Sequence, residues 1–351
     1  MLDKIEFYQT GSNTVGNRLL NPTLRTTQAS VDRPNTLTSG HRACQGCGEA
    51  LGARVAIDAA MRATNGQLMV CNATGCLEVF STPYPESAWR LPWIHSLFGN
   101  SAAVGTGLAA AARVRAAKAG TKAARVIAQG GDGGTTDIGF GPLSGMFERN
   151  DDVLYICYDN QAYMNTGVQR SSATPPSART ATTQLVGAEP GADWGKGKNV
   201  PLIAMAHGIP YVATASVADL HDLEYKVTKA MSYHGARYIQ IFVPCPLGWG
   251  TNSSSTVTVA RAAVETGFYP IFEAEYGKVT SVYKIKQKQP IINFLKMQRR
   301  FAHLTGKKAD PKVLERLQAV CDENIKVYDL LGDSIPETVP TAIQAFERQE
   351  M

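Results

Sequence analysis

The sequence predicts an α/β fold with a mainly parallel sheet flanked by helices, plus N- and C-terminal extensions. Two observations carry this. Between Gly40 and about Gly250, short β-rich runs alternate with Ala-rich or periodic stretches, and such alternation builds parallel sheets. A glycine-rich turn, Gly130-Gly131-Asp132-Gly133-Gly134, follows one of these runs and precedes a periodic stretch. Parallel sheets collect their ligands beyond such strand ends.

Residues 1–39 are polar and aperiodic, with two prolines and many Asn, Thr and Ser. They read as an extended arm lying on another surface. Residues 40–255 hold the alternation. Leu68–Val70, Arg125–Ala128, Val153–Tyr158 and Tyr238–Val243 are strand candidates, and Ser101–Lys118 and Val217–His234 are helix candidates. Residues 168–200 hold Pro, Gly, Ser and Thr without a period, and so long a loop in a compact domain is usually functional. Residues 256–351 form a basic extension, expected to make subunit contacts, in which Pro311–Leu331 reads as an amphipathic helix.

The 351 residues allow a sizeable core, and 44% hydrophobic with 19% charged residues excludes a disordered chain. A net charge of +5 is weak for this length. Clusters such as Lys284, Lys286, Lys288 and Arg299, Arg300 read as solvated faces, and no nucleic-acid motif accompanies them. No apolar run approaches the roughly 18 residues that span a membrane. The N-terminus lacks a basic start, an apolar stretch and a small-residue cleavage site, so the expected compartment is the cytoplasm. Seven cysteines are then expected as ligands, catalysts or buried apolar residues rather than disulfides.

Strand, glycine turn, helix and strand make one βαβ unit. Asp132 ends its first strand, and Asn160 ends its second, 28 positions later. Glycines admit a phosphate close to the backbone, and the following helix N-terminus favours its charge. Two oxygen ligands from neighbouring strand ends can grip one Mg²⁺ that shares substrate phosphates. Among the cysteines, Cys44-Gln45-Gly46-Cys47 is a C-x₂-C that suits a redox pair, a zinc half-site or a cluster half-site. Cys71 and Cys76 lie in CNATGC, and Cys245 lies in PCPLGW. Four thiolates hold an iron–sulfur cluster or a structural zinc. Cys157, in an apolar strand, and Cys321, on a helix, read as buried small hydrophobes.

The run GGDGGTTDIG…YDNQAYMNTGVQRSSATP, with HRACQGCGE, NATGC and VPCPLGW, resembles the β subunits of the 2-oxoacid:acceptor (pyruvate:ferredoxin-type) oxidoreductases over nearly the whole chain. The resemblance implies a thiamine-diphosphate-binding fold. Asp132, the Asn160 side chain and the Ala162 carbonyl would hold Mg²⁺. Gly131, Gly133, Gly134, Tyr163 and Asn165 would line the diphosphate or thiazolium, with Glu49 and Cys76 touching the cofactor. Cys44, Cys47, Cys76 and Cys245 would hold one [4Fe–4S] cluster, with Cys71 a rival to Cys76. Asn165 and His95, which lies in WRLPWIHSLFGNSAAVG, are the candidates for catalysis, although a lone His among apolar residues is more often a satisfied core residue.

The implied reaction is coenzyme A-dependent oxidative decarboxylation of a 2-oxoacid. Pyruvate is the default; an arylglyoxylate, a branched 2-oxoacid or oxalate is the alternative. Ferredoxin or an NAD-reducing subunit would receive the electrons. The implied partners are an α subunit, a γ subunit and a ferredoxin-like δ subunit. No glutamate in this chain is assignable to the N1′ nitrogen of the cofactor, so the α subunit is expected to supply it. A non-oxidative thiamine decarboxylase or synthase, and a zinc-stabilised scaffold subunit, are the rival readings.

Overall fold

In the computed structural model the described residues are 35–332, apart from 84–85, 187–190, 192–194 and 307–308. Most of the expected arm, residues 1–39, and the end of the expected C-terminal extension lie outside them. Eight strands form one sheet. They are β1 (Leu68–Asn72), β2 (Trp93–His95), β3 (Arg125–Gly131), β4 (Leu154–Asp159), β5 (Tyr211–Ser216), β6 (Arg237–Phe242), β7 (Phe272–Glu275) and β8 (Lys278–Val282). Their spatial order is β2-β1-β3-β4-β6-β5-β7-β8. The first six pair in parallel, and β7 and β8 add an antiparallel hairpin beside β5.

The central strands β4 (LYICYD), β5 (YVATAS) and β6 (RYIQIF) are buried at every position. Helices cover both faces, so these strands read as continuous runs rather than as alternation. Three helices position the site. Helix α1 (Gly48–Ala63) buries Ala53, Ala56, Ala59 and Ala60. These small side chains let it lie against α6 (Leu220–Ser232). The short helix α2 (Cys76–Ser81) follows β1, and α3 (Ser101–Ala119) spans the expected 101–118 helix. Then come α4 (Phe140–Glu148), α5 (Val200–Ala206), α6, α7 (Pro246–Trp249), α8 (Thr256–Glu265), α9 (Ile292–Leu295) and α10 (Pro311–Val327). Helix α10 buries Val313, Leu317 and Cys321, the stripe expected of its amphipathic pattern.

The sheet runs across the expected border at residue 255, because β7 hydrogen-bonds to β5. Without it β5, buried at all six positions, would be an open edge. No helix among the described residues is long and apolar enough to cross a membrane.

Candidate functional site

Strands β3 and β4 run side by side, with Gly131 opposite Tyr158. Their C-terminal ends therefore deliver Asp132 and Asn160 to one place. The Asn160 backbone N–H donates to Asp132 Oδ1 at 3.2 Å, and Ser171 Oγ donates to Oδ2 at 2.5 Å. Asp132 is fully buried. Desolvation, reinforced by the nearby Asp159, holds its carboxyl well above the ordinary range. Asn160 Nδ2 donates to Glu49 Oε2 at 3.3 Å, while its Oδ1 is buried and has no partner among the described residues. An orphaned amide oxygen beside a buried carboxylate costs free energy in the bare chain. A hard cation that takes oxygen ligands would relieve both.

The π-helical turn Gly133–Ile138 follows directly. A Cβ on Gly133 would fall 2.5 Å from the Tyr163 ring, whose hydroxyl donates to the Gly133 carbonyl at 3.0 Å. Glycine at this position is what lets Tyr163 close over the turn. Above the strand ends lies a cavity lined by Glu49, Cys76, Gly131, Gly133, Gly134, Asn160, Ala162, Tyr163 and Asn165. A second cavity, of about 100 Å³, is lined by Cys44, Cys47, Cys76 and Cys245. Glu49, Cys76, Asn160 and Asn165 line both, so the two cavities share a wall.

Local geometry explains how four distant thiols meet. Cys47 caps α1, its sulfur accepting from Ala50 N–H at 3.4 Å. Cys245 caps α7 in the same way, accepting from Gly248 N–H at 3.3 Å. Cys76 opens α2. Gly46, at φ +72°, must be glycine, because a Cβ there would lie 2.0 Å from the Ser253 carbonyl oxygen. Burial pushes the Cys47 thiol up to about 12. Cys76 is driven higher by burial, then by Glu49 and Cys245. Bare, Cys47 and Cys76 are thiols; a bound cation would deprotonate them outright. Among the described residues no three His, Cys, Asp or Glu side chains close on a single-ion site. Cys44, Cys47, Cys76 and Cys245 border one cavity instead.

Comparison with known proteins decides the family. The thiamine pyrophosphate enzyme C-terminal TPP-binding domain matches residues 73–241. Pyruvate synthase subunit PorB of Methanocaldococcus jannaschii is 46% identical over 301 residues, 85% of this chain and 98% of that protein. The chain belongs to the PorB family. PorB of Pyrococcus furiosus is 44% identical over 303 residues, 80% of this chain and 89% of its own. The ketoisovalerate oxidoreductase subunit VorB of Pyrococcus abyssi is 43% identical over 285 residues, 79% of this chain and 88% of its own. The family is that of 2-oxoacid oxidoreductase subunits, enzymes that act as complexes, and this member carries the family's thiamine diphosphate-binding domain.

The structure sorts the remaining candidates for this PorB-family chain. Cys71, the rival to Cys76, sits buried in β1, its sulfur 3.2 Å from the Ser101 carbonyl, and lines neither cavity. Cys157 and Cys321 are buried, as their apolar settings suggested. His95 is neither in the core nor in either cavity. It stands on the edge strand β2, bonded to Thr74 Oγ1 at 2.8 Å and stacked on Trp93. Its APOLAR neighbours Ile94 and Leu97 are themselves exposed, so no core formed around it.

Two residues escaped the sequence reading. The first is Ser171, in the long 168–200 loop. Its partner Ser172 donates from N–H at 3.0 Å and from its hydroxyl to Asp137, folding the loop onto the π-helical turn. The second is Arg300, expected on a solvated face with Arg299. Arg299 is exposed, but Arg300 is buried. Its guanidinium lies 3.8 Å from the Trp249 ring centre and donates to Gln161 Oε1 at 2.6 Å and Gln298 Oε1 at 2.8 Å. Burial pulls its pKa down to about 9.

Proposed function

We propose that this chain is the thiamine diphosphate- and cluster-binding β subunit of a cytoplasmic pyruvate:acceptor oxidoreductase. The observation that carries the proposal is the wall shared by the two cavities. The cavity at the strand ends and the cavity bordered by four cysteines have Glu49, Cys76, Asn160 and Asn165 in common. Thiamine diphosphate, when bound, supplies the carbon chemistry that removes CO₂ from a 2-oxoacid.

Asp132, the Asn160 side-chain oxygen and the Ala162 carbonyl would hold Mg²⁺. Gly131, Gly133 and Gly134 would admit the diphosphate, and Tyr163 and Asn165 would bound the thiazolium. Cys44, Cys47, Cys76 and Cys245 would hold a [4Fe–4S] cluster. Glu49 is buried and engaged with Asn160, which suits a wall residue rather than the N1′ carboxylate. An α subunit would supply that carboxylate. Residues 1–39 and 256–351 would serve contacts with the α and γ subunits and the ferredoxin-like δ subunit. Coenzyme A would take the acyl group, and ferredoxin or an NAD-reducing subunit the electrons. Pyruvate is favoured because the PorB relatives carry it in their names; VorB makes a branched 2-oxoacid the alternative.

Turnover of the purified complex on a panel of 2-oxoacids, with thiamine, iron and sulfide analysis, tests this reading. Pyruvate should give the highest kcat/KM, with at least four irons per β subunit. A complex that decarboxylates without iron would overturn the oxidoreductase assignment. The half-site is tested by NMR in D₂O. The chain alone should exchange the thiamine C2 proton slowly, and the α partner should accelerate it.

A further inference from the structure

A buried charge is normally paired, because desolvation of an ion otherwise costs several kcal/mol. Arg300 is buried, yet among the described residues no carboxylate lies within ion-pair distance of it. Its hydrogen-bond partners Gln161 and Gln298 are neutral. The foremost opposite charge that acts on it is Asp159, and Cys245 and Asp132 would act next once ionised. Its flat face covers Trp249, the last residue of the helix that Cys245 caps. The Trp249 indole N–H donates to the Asn160 carbonyl at 2.9 Å. Gly250, in left-handed conformation, brings the backbone after that helix so close that a Cβ would meet Arg299 at 2.7 Å. The 299–304 turn is thus pressed against the back of the Cys245 turn, carrying a buried cation with no direct ion pair among the described residues.

We propose that Arg300 is the counter-cation of the thiolate shell to which Cys245 belongs, and that its charge sets the reduction potential of the cluster held there. It is a positioning and electrostatic residue, without contact with substrate. The inference rests on the cysteine assignment above. Reduction adds one electron and one negative charge to the cluster–thiolate unit. A cation fixed in a low-dielectric site favours that reduced state, and charge and hydrogen bonding are what tune such potentials.

The test is potentiometric titration of the purified holoenzyme with dithionite, followed by EPR of the reduced cluster. Arg300→Met removes the charge and keeps most of the volume. Its midpoint potential should move to more negative values, with iron and sulfide content unchanged. Arg300→Lys keeps a cation and should restore most of the shift. Arg300→Gln, which can still bond Gln161, serves the same purpose if methionine prevents folding. A loaded cluster at wild-type potential in the neutral variants would show that the charge is spent on Asp159, and the proposal falls. A wild-type complex without iron or labile sulfide would overturn the cysteine assignment itself, and this inference with it.

Discussion

Among the regions of this molecule that bury charge, two handle it in opposite ways. Between α6 and the β5–β7 edge every charge has a direct partner. The Lys226 ammonium contacts Asp222 at 2.8 Å and the Thr214 carbonyl at 2.9 Å. Lys229 bridges Glu273 and Glu275, each at 3.0 Å, and the Tyr211 hydroxyl donates to Glu273 at 2.7 Å. At the C-terminal strand ends, Glu49, Asp132 and Asp159 are buried without one direct ion pair, and Arg300 is buried without one either. The first region is complete as it stands and serves stability. The second is in electrostatic deficit, the pattern by which ligand sites depart from the rest of a fold.

The largest effect separating the two is expected at Asp132. Asp132→Ala should weaken Mg²⁺-dependent thiamine diphosphate binding by more than about 100-fold, beyond the range for losing an outer-sphere partner. The same change removes an unpaired buried carboxylate, so ligand-free thermal stability should hold or rise. Calorimetry and thermal unfolding read the two halves, and unchanged cofactor affinity would remove Asp132 from the site. Next, Cys76→Ser should lose the cluster while Cys71→Ser keeps it, as read by iron content and EPR; the reverse outcome would exchange their roles.

In the paired region the sign inverts. Asp222→Ala leaves the Lys226 ammonium buried with only a carbonyl partner, and should cost about 3 kcal/mol in denaturant unfolding without altering cofactor affinity. A stability loss at Asp132 as large as that at Asp222 would erase the contrast. The smallest effect is steric. Gly133→Ala pushes on the Tyr163 ring and should weaken cofactor binding about tenfold, roughly 1.4 kcal/mol, with cluster content unaffected.

Much of this was legible in the sequence, because it lives in local patterns. The strand–turn–helix–strand around Asp132 and Asn160 is contiguous, and the C-x₂-C announces itself. The strand β5 was missed: YVATAS carries small residues and no alternation, and it is buried only because its neighbours cover it. The hairpin β7–β8 was missed because its sheet partner lies some 60 residues upstream. Arg300 was misread for a related reason. A basic pair in sequence gives no hint that one member turns inward over Trp249 and the other outward to solvent. His95 shows the converse, since apolar neighbours in sequence did not make a buried environment in space.

The four thiols come from places far apart along the chain, and this bears on how the protein is made. Cys44, Cys47 and Cys76 emerge early, whereas Cys245 follows β6 and reaches its place only when β6 has paired with β4. Contacts across such separations form late in folding, after the loop-closure entropy has been met. A chain still being synthesised, or one whose sheet has assembled wrongly, therefore offers three sulfurs at most. If these cysteines hold the proposed cluster, metallation would become a checkpoint that only a finished sheet can pass, and unmetallated subunits in a cell would report on errors in strand order as much as on the supply of iron.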